Sequence, residues 1–359
     1  MRRGSALLLV AVVALGCGKR RPIPLGPIAP TLLGRCQGAV DRARLCGDWA
    51  EAVDSCEGDA TVHDSLPELD EGACYVEVDH RGSPARPLAV AAGCGYPRSP
   101  PAIVKRLLGQ AGRYRRVAAG AHDDLPAVLR CELPDADRRV AAAHNARTLT
   151  RLATRLAAPQ PRYAYGAIGT FGFGSGEMGV SPLVPWRPGD TCLPLAKREV
   201  DRLGVNVLRA GRAASAYHGR VAPVITVSGG AVHAPLYEAF MLLHLLHCRF
   251  DVPDDAVLLD PCADHTHTNV RNTGSLVIEL GARTAYLVTD DGLQAGYLQE
   301  HTGFGVIGGN VDQRALRDWG YLVGAWRQAS RGIDAGFWFT PYRFWGEPHE
   351  ALGGASCVE

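Results

Sequence analysis

From about residue 162 to residue 310, the chain alternates short apolar runs with stretches whose apolar positions recur at helical spacing. Such runs are typical of buried strands, and their alternation with helices predicts a parallel sheet with right-handed crossovers. We therefore predict an α/β domain over residues 161–340. Its predicted strands are 163–170, 223–227, 256–259 and 284–288, its predicted helices are 195–217, 236–248, 269–280 and 291–300, and a run at 304–307 continues the alternation.

The part of the chain before this domain has a different pattern. Apolar positions in residues 36–160 recur at roughly helical spacing, and residues 135–157 are rich in Ala and Arg with no helix breaker. We predict a mainly helical, cysteine-rich module here, with the arginines of 135–157 on a solvated helix face rather than in a binding patch. Residues 341–359 are interpreted as a C-terminal tail.

Composition narrows the class of protein. The chain has 359 residues, of which 47% are hydrophobic and 21% charged, so a sizeable core is possible and global disorder is excluded. Its 38 basic and 37 acidic side chains give a net charge of +1, and no overall field favours nucleic acid. We expect no nucleic-acid partner and no bound cofactor.

The N terminus has the pattern of an export signal. Arg2 and Arg3 precede an apolar run over residues 6–15, which is too short to cross a bilayer as a helix. The run ends in Ala-Leu-Gly before Cys17, which resembles a bacterial lipobox, and lipid on Cys17 would anchor the protein to a membrane. An ordinary secretory signal with an unrelated cysteine is the alternative.

The residues that follow indicate a location. Residues 1–17 are interpreted as the lipoprotein signal peptide and the proline-rich residues 18–35 as an extended tether. No later stretch reaches 18 consecutive apolar residues, so the sequence predicts no transmembrane helix. Gly18 stands where an Asp would indicate inner-membrane retention. By resemblance to sorted lipoproteins, we expect an outer-membrane lipoprotein that faces the periplasm.

The cysteines fit an oxidising compartment. The chain has 11, and the 10 that follow Cys17 allow up to five disulfides. Their division between residues 36–131 and 192–357 predicts two separately cross-linked modules. We expect Cys248 to pair with Cys262 and no metal to bind, because an oxidising compartment favours the disulfide. The alternative is a zinc site, in which these two cysteines would be joined by His244, His247, His265 and His267.

Candidate chemistry follows the strand predicted at 223–227. The triplet Ser228-Gly229-Gly230 allows a tight turn with exposed amides, as an anion-binding nest requires, although a plain turn is the commoner cause. Glu238 opens the next helix, and a threonine-rich loop leads into the helix at 269–280. Because ligands bind at the carboxyl ends of parallel strands, we expect one site there. The predicted ligand-binding residues there are Ser228, Gly229, Gly230, Glu238, Thr268, Asn269, Arg271, Asn272 and Thr289, to which the family resemblance described next adds Arg209.

The order of these motifs resembles the YdcF/SanA/ElyC family of bacterial envelope proteins (domain of unknown function 218). Members have a strand ending in Ser-Gly-Gly, a helix with Glu-Ala, a Gly-Val-Pro-like turn, a threonine-rich loop leading into an asparagine, and a strand ending in Val-Thr. The resemblance covers residues 162–310, about two-fifths of the chain, and implies a Rossmann-like three-layer α/β/α domain, an envelope location and a role in cell-wall or lipid-carrier metabolism. The matching positions are 228–230, 238–239, 251–253, 265–272 and 288–289, with Arg209 and Tyr217 on the preceding helix.

The chain departs from that family at a position that matters for any reaction. After the Val-Thr strand, members have a histidine and then an arginine, where this chain has Leu293 and Gly296. Because histidine is the most natural acid–base group at neutral pH, the sequence leaves open whether the protein is an enzyme. Asp290, Asp291 or His265 could substitute for it.

Two features before the helix predicted at 195–217 carry less information. Residues 172–176, Gly-Phe-Gly-Ser-Gly, follow a strand as in nucleotide sites, but a proline-rich stretch follows them in place of a helix. The insertion at 177–192 is expected to be a surface loop, with a lid as the alternative.

The sequence thus predicts an envelope lipoprotein whose α/β domain binds a small anionic or phosphate-bearing ligand. Arg209 and Arg271 would neutralise its charge, and Ser228 with the two glycine amides would hold its oxygens. In the enzymatic form, a phosphorylated envelope intermediate would be transferred or hydrolysed. The alternative is a non-catalytic binding or scaffold lipoprotein that has lost the family's histidine.

Replacing Cys17 by serine tests the anchor. The wild-type protein should incorporate labelled palmitate and fractionate with membranes, and Cys17→Ser should do neither, because it lacks the thiol to which lipid is attached. A wild-type protein that never incorporates palmitate would contradict the predicted lipidation.

Overall fold

The computed structural model describes residues 95–96, 100–158, 163–174, 186–192, 203–232, 236–290, 293–298, 311, 314–315, 323–330 and 336–341. Several predictions fall outside these residues. They concern the signal peptide with Cys17, the tether, the first half of the cysteine-rich module, the run at 304–307, Asp291 and nearly all of the C-terminal tail.

Helices and strands alternate from residue 167 to residue 298 of the described chain. No described helix has both the length and the apolar character needed to cross a membrane. Short 3-10 turns lie at Ala127–Leu129 and Asp254–Ala256. In chain order, the elements are α1 (Pro100–Ala118), α2 (Asp135–Ala157), β1 (Ala167–Phe171), α3 (Gly204–His218), β2 (Ile225–Ser228), α4 (Glu238–Phe250), β3 (Val257–Asp260), α5 (Thr266–Glu279), β4 (Ala285–Val288), α6 (Leu293–Leu298), β5 (Ala325–Ser330) and β6 (Gly336–Thr340).

The strands form one six-stranded sheet in the order β3-β2-β1-β4-β6-β5. β3, β2, β1 and β4 pair in parallel, whereas β6 runs antiparallel to both β4 and β5. The prediction of an α/β domain with a mostly parallel sheet is therefore confirmed. The antiparallel edge made by β5 and β6 was not predicted, because no strand was recognised in the sequence after residue 307.

The apolar pattern locates most elements to within a few residues, and the predicted start of the helix at 195–217 lies outside the described residues. α2 has the predicted bounds, because Pro134 precedes its first turn and no breaker interrupts it. β1 begins at Ala167, later than predicted. The residues before it bond to loops instead of to a strand: the N–H of Tyr165 donates to Val221 O at 3.2 Å, and the N–H of Gly95 donates to Tyr163 O at 3.1 Å.

The crossover helices lie on both faces of the sheet. α3 connects β1 to β2 and α4 connects β2 to β3, and these two helices contact each other. α5 returns the chain from β3 to β4 and packs against α1. Because crossovers are right-handed, helices that step in opposite directions along a sheet lie on opposite faces. The chain steps from β1 towards β3 and then returns to β4 on the other side of β1, so the order of strands reverses between β1 and β4. This reversal leaves a crevice at the carboxyl ends of these two strands.

Helix α2 covers the free edge of the sheet at β3. Asn145 Nδ2 donates to Leu259 O at 2.9 Å, and Asn145 Oδ1 accepts the Leu259 N–H at 2.8 Å. His144 and Thr148 donate to Val257 O at 2.9 and 3.0 Å. These side chains take the place of a further strand and satisfy an edge that would otherwise be open to other chains.

The predicted helical module and the α/β domain are not separately packed where the structure describes them. α1 and α2 belong to the same hydrophobic core as the sheet, with Leu107, Leu149 and Ile168 all buried in it. Arg106 Nη2 also donates to Ile278 O in α5 at 2.8 Å. Residues 100–158 therefore form part of the α/β unit, and the predicted boundary at residue 160 falls inside it.

The disulfides differ from those predicted. Cys131 pairs with Cys262 and Cys192 pairs with Cys248, so the predicted Cys248–Cys262 bond is wrong. The first bond also crosses the predicted division into two separately cross-linked groups. The physical reason is the direction of α4: it runs from the carboxyl edge of the sheet towards the amino edge, and Cys248 lies about 15 Å along it, whereas Cys262 follows the carboxyl end of β3.

Replacing Asn145 by alanine should destabilise the fold. Two buried backbone groups of Leu259 would lose their partners, and we expect the free energy of unfolding to fall by about 2–4 kcal/mol in urea titrations. Thr154→Ala on the same helix is the control, because its exposed hydroxyl bonds only within α2 and should change stability by less than about 0.5 kcal/mol. Equal effects of the two substitutions would contradict the role assigned to Asn145.

Candidate functional site

A cavity of about 300 Å³ opens at the carboxyl edge of the sheet. Its walls are residues 172–174 after β1, residues 263–266 after β3, and Gln294 and Tyr297 on α6, which follows β4. It lies where the order of strands reverses, the position at which parallel sheets generally bind ligands. A concave site therefore exists at the edge of the sheet where the sequence predicted one.

Arg209 forms a buried bridge behind this cavity. Its side chain is 1% exposed, and its Nη1 donates to the carbonyl oxygens of Phe171 and Gly172 at 2.8 and 2.9 Å. Its Nε donates to Asp290 Oδ2 at 2.9 Å, and its Nη2 donates to the same oxygen. The guanidinium thus ties the end of β1 to the residues after β4, and most of its donors are directed at the protein instead of at a ligand.

Charge and burial act against each other in this pair. Burial by itself would raise the pKa of Asp290, but Arg209 outweighs it and holds the pKa below its usual range. Burial lowers the pKa of Arg209, and Asp290 opposes that shift. Both groups remain charged at neutral pH, because an arginine does not lose its proton there. Asp290, which the sequence offered as a substitute for histidine, is therefore bound to Arg209.

Glu238 fits into a space that two glycines leave open. A Cβ on Gly172 or on Gly229 would overlap the Glu238 side chain, so no larger residue fits at either position without moving it. Burial raises the pKa of Glu238 to about 7, and the charge of Arg209 opposes the shift only in part. A carboxyl that is half protonated near neutral pH can both take and give a proton, which makes Glu238 the strongest acid–base candidate of the site.

The glycine triplet has a structural task that the sequence did not reveal. The N–H of Gly229 donates to Asp260 O at 3.0 Å, and the N–H of Gly230 donates to Ala263 O at 2.6 Å. Their carbonyls accept the first amides of α4, with Ala239 N at 2.9 Å from Gly229 O. The predicted anion-binding nest of Gly229 and Gly230 is therefore wrong, because both amides already have protein partners.

A fully buried polar network lies beneath the cavity. Ser228 Oγ is 2.5 Å from Asp260 Oδ2 and 2.7 Å from Asn269 Oδ1. Asn272 Nδ2 donates to Asp260 Oδ1 at 3.1 Å. Burial raises the pKa of Asp260 to about 7, although the hydrogen bonds from Ser228, Asn272 and the Cys262 N–H oppose the shift. Ser228 and Asn272 thus support the floor of the site and do not line it.

The remaining predicted residues have other positions. Thr268, half-buried in the first turn of α5, donates from its Oγ1 to Asp264 Oδ1 on the preceding loop at 2.7 Å, and Arg271 lies half-buried on α5 outside the cavity wall. Thr289 is fully buried, and its carbonyl accepts a hydrogen bond from Arg212. The structure therefore brings Arg209, Glu238 and Asn269 to one cavity, and it does not bring Ser228, Gly229, Gly230, Thr268, Arg271, Asn272 or Thr289 to its wall.

Several residues of the wall were missed by the sequence reasoning. Gln294 is buried with an unpartnered Oε1. The guanidinium of Arg314 lies over the ring of Tyr297, 4.9 Å from the ring centre. Neither α6 nor Arg314 belongs to a recognisable motif. One available signal was the position of Gln294, which directly follows Leu293, the position at which the sequence resemblance led us to expect a histidine. His265, named as a possible substitute for that histidine, does line the cavity.

No cluster suited to a metal ion is present among the described residues. The four cysteines that the structure describes in disulfides are not available as ligands. His244, one of the histidines considered for zinc, stacks on Trp186 with ring centres 4.3 Å apart. The alternative zinc site is therefore not formed by these residues.

Known proteins supply no identity for this arrangement. No protein family, no curated protein and no solved structure matches the chain. The chemistry of the cavity is therefore interpreted from its own residues.

Proposed function

We propose that the cavity binds a small phosphate-bearing ligand and that Glu238 exchanges a proton with it. The observation that carries this proposal is the meeting of an uncapped helix N terminus, an arginine and a buried carboxyl of raised pKa in one crevice. Each supplies something different: the helix and the arginine favour negative charge, and the carboxyl favours a group with a transferable proton.

The anionic part of the ligand is held at the start of α5. Thr266, the first residue of α5, lines the cavity, and no side chain caps the N terminus of the helix among the described residues. Free amides and the helix dipole at such an end favour phosphate oxygens. Arg314 lines the same cavity and brings a guanidinium to it. It takes the role that the sequence assigned to Arg209 and Arg271.

The other wall favours a group that donates hydrogen bonds. Glu238 and Asp264 bring carboxyls to the cavity, and Gln294 brings an unpartnered carbonyl oxygen. A bare anion would face repulsion here, whereas a ligand hydroxyl would satisfy these acceptors. The ligand class is therefore a phosphate ester with hydroxyl groups, as in sugar phosphates and related envelope intermediates.

In the enzymatic form, Glu238 acts as the general base. It takes the proton of a water or of an acceptor hydroxyl while that oxygen bonds to phosphorus and the bond to the leaving oxygen breaks. Its proton then passes to the leaving oxygen or to solvent. Arg314 and the amides of α5 balance the charge on the phosphoryl oxygens. The second candidate, a non-catalytic binding protein, is favoured by Leu293 at the position of the family's histidine.

The wider setting belongs to the same proposal. An envelope lipoprotein anchored through Cys17 fits the two disulfides of the described residues, because such bonds persist in oxidising compartments. The strand order β3-β2-β1-β4 is that of the first half of a doubly wound sheet and supports a Rossmann-like three-layer domain like that of the YdcF/SanA/ElyC family. The role in cell-wall or lipid-carrier metabolism follows from that resemblance.

Calorimetric titration with inorganic phosphate tests the binding proposal. The wild type should bind, and Arg314→Gln should bind about 10- to 100-fold more weakly, the effect of one lost charged hydrogen bond. Arg139→Gln, an exposed position on α2, is the matched control and should bind like the wild type. A wild type that takes up no phosphate would contradict the proposal.

Hydrolysis of p-nitrophenyl phosphate separates the two candidate functions. An enzyme should lose turnover on Glu238→Gln but keep phosphate binding, whereas Glu132→Gln, an exposed matched control, should change neither. Phosphate binding without turnover by the wild type, on this substrate and on phosphorylated envelope intermediates, would favour the binding protein.

A further inference from the structure

The hydroxyl of Ser228 lies between two hydrogen-bond acceptors. It is 2.5 Å from Asp260 Oδ2 and 2.7 Å from Asn269 Oδ1, and all three side chains are buried. A serine hydroxyl carries one proton, so it can donate to only one of these oxygens. The other contact needs a proton from elsewhere, because two facing acceptors repel each other in a buried site.

Two arrangements satisfy this count of protons. In the first, Asp260 is protonated and donates to Ser228 Oγ, which donates in turn to Asn269 Oδ1. In the second, Asp260 is ionised and accepts from Ser228, and the amide of Asn269 is turned so that its Nδ2 donates to Ser228 Oγ. Turning an amide by half a revolution exchanges its nitrogen and oxygen at almost no cost in shape.

The position of the proton on Asp260 follows from its other contacts. Asp260 Oδ1 accepts from Asn272 Nδ2 at 3.1 Å and from the Cys262 N–H at 3.0 Å. Those two donors hold the carboxyl in place and leave Oδ2 facing Ser228 alone. Oδ2 is therefore the oxygen that carries the proton in the first arrangement.

The protonation of Asp260 determines which end of the Asn269 amide faces the cavity. Asn269 lines it, and since one end of its amide contacts Ser228, the other end is the one that a ligand meets. With Asp260 protonated, the cavity meets an N–H donor, which suits a phosphate oxygen. With Asp260 ionised, it meets a carbonyl oxygen, which repels that ligand.

We propose that Asp260 is a positioning residue that acts through Ser228 to set which end of the Asn269 amide faces the cavity, and thereby couples anion binding to uptake of one proton. The coupling to binding rests on the function proposed above, whereas the relay of hydrogen bonds does not. It assigns a purpose to a carboxylic acid that is completely enclosed and does not line the cavity.

The surroundings of Asp260 agree with a change near neutral pH. Burial raises its pKa to about 7, and Asp264 in the following loop adds to the shift. Tyr114 on α1 also interacts electrostatically with Asp260, and the first turns of α5 carry His267 and Arg271. Because the proton is present below about pH 7, the donor end of Asn269 should face the cavity at acidic pH and the acceptor end at alkaline pH.

Amide NMR of the ligand-free protein tests the relay directly. The chain has only five asparagines, so labelling with 15N-asparagine gives few side-chain signals. The Asn269 side-chain amide should shift with a midpoint near pH 7 in the wild type and should not titrate in Asp260→Asn, which mimics the protonated acid. The Asn145 amide, held by the Leu259 backbone, is the internal control and should stay constant.

Ser228→Ala provides a second variant in case Asp260→Asn does not fold. It keeps Asp260 but removes the hydroxyl that links it to Asn269, so the Asn269 signal should no longer titrate. An Asn269 amide that does not titrate in the wild type, or that titrates unchanged in a folded variant of either kind, would overturn the relay.

Sulfate binding tests the coupling, because sulfate does not itself titrate between pH 6 and pH 8.5. Glu238→Gln and His265→Gln form the background, since both residues line the cavity. Adding Asp260→Asn to that background should make sulfate bind about 5- to 10-fold more tightly than to the background variant at pH 8.5. At pH 6 the two proteins should bind sulfate equally. Equal binding at both pH values would overturn the coupling. Absence of sulfate binding together with an intact Asn269 titration would reject the proposed function and leave the relay standing.

Discussion

The buried ion pair of Arg209 and Asp290 is the interaction on which the site depends. The order of the strands reverses between β1 and β4, which leaves a crevice at their carboxyl ends. Arg209 spans this crevice, holding the carbonyls of Phe171 and Gly172 on one side and Asp290 on the other. A buried charge is tolerated only when it is paired in this way, and the pair therefore fixes the width of the crevice.

The acid–base chemistry of the cavity depends on two buried carboxyl groups, Glu238 in its wall and Asp260 beneath it. Glu238 and Asp260 are both buried, and burial outweighs the opposing contacts and raises the pKa of each to about 7. The close fit of Gly172 and Gly229 against Glu238 keeps the carboxyl there. Local packing thus makes two acids able to change protonation at neutral pH.

The periodicity of the sequence was sufficient for the parallel sheet and for α2, because buried strands and an unbroken helix leave strong local patterns. The order of the motifs and the family resemblance also placed Arg209, Glu238 and Asn269 at the edge of the sheet where the cavity lies. The sequence could not separate residues that line the cavity from residues beneath it. Ser228, Asn269 and Asn272 all lie at this edge, but only the side chain of Asn269 reaches the cavity. The predicted disulfide pairing was wrong for a similar reason, because the partner of Cys248 depends on which end of α4 carries it. The covering of β3 by Asn145 joins residues 114 positions apart and has no local signal.

A double-mutant cycle on the Arg209–Asp290 pair tests this account most directly. The free energy of unfolding would be measured in urea for the wild type, Arg209→Met, Asp290→Asn and the double variant, with the disulfides intact. We predict that each single change costs about 3–5 kcal/mol, because it leaves a buried charge without its partner, and that the double variant costs clearly less than the sum. Single changes that cost under about 1 kcal/mol, or costs that simply add, would contradict the claim that this pair holds the two strand ends together.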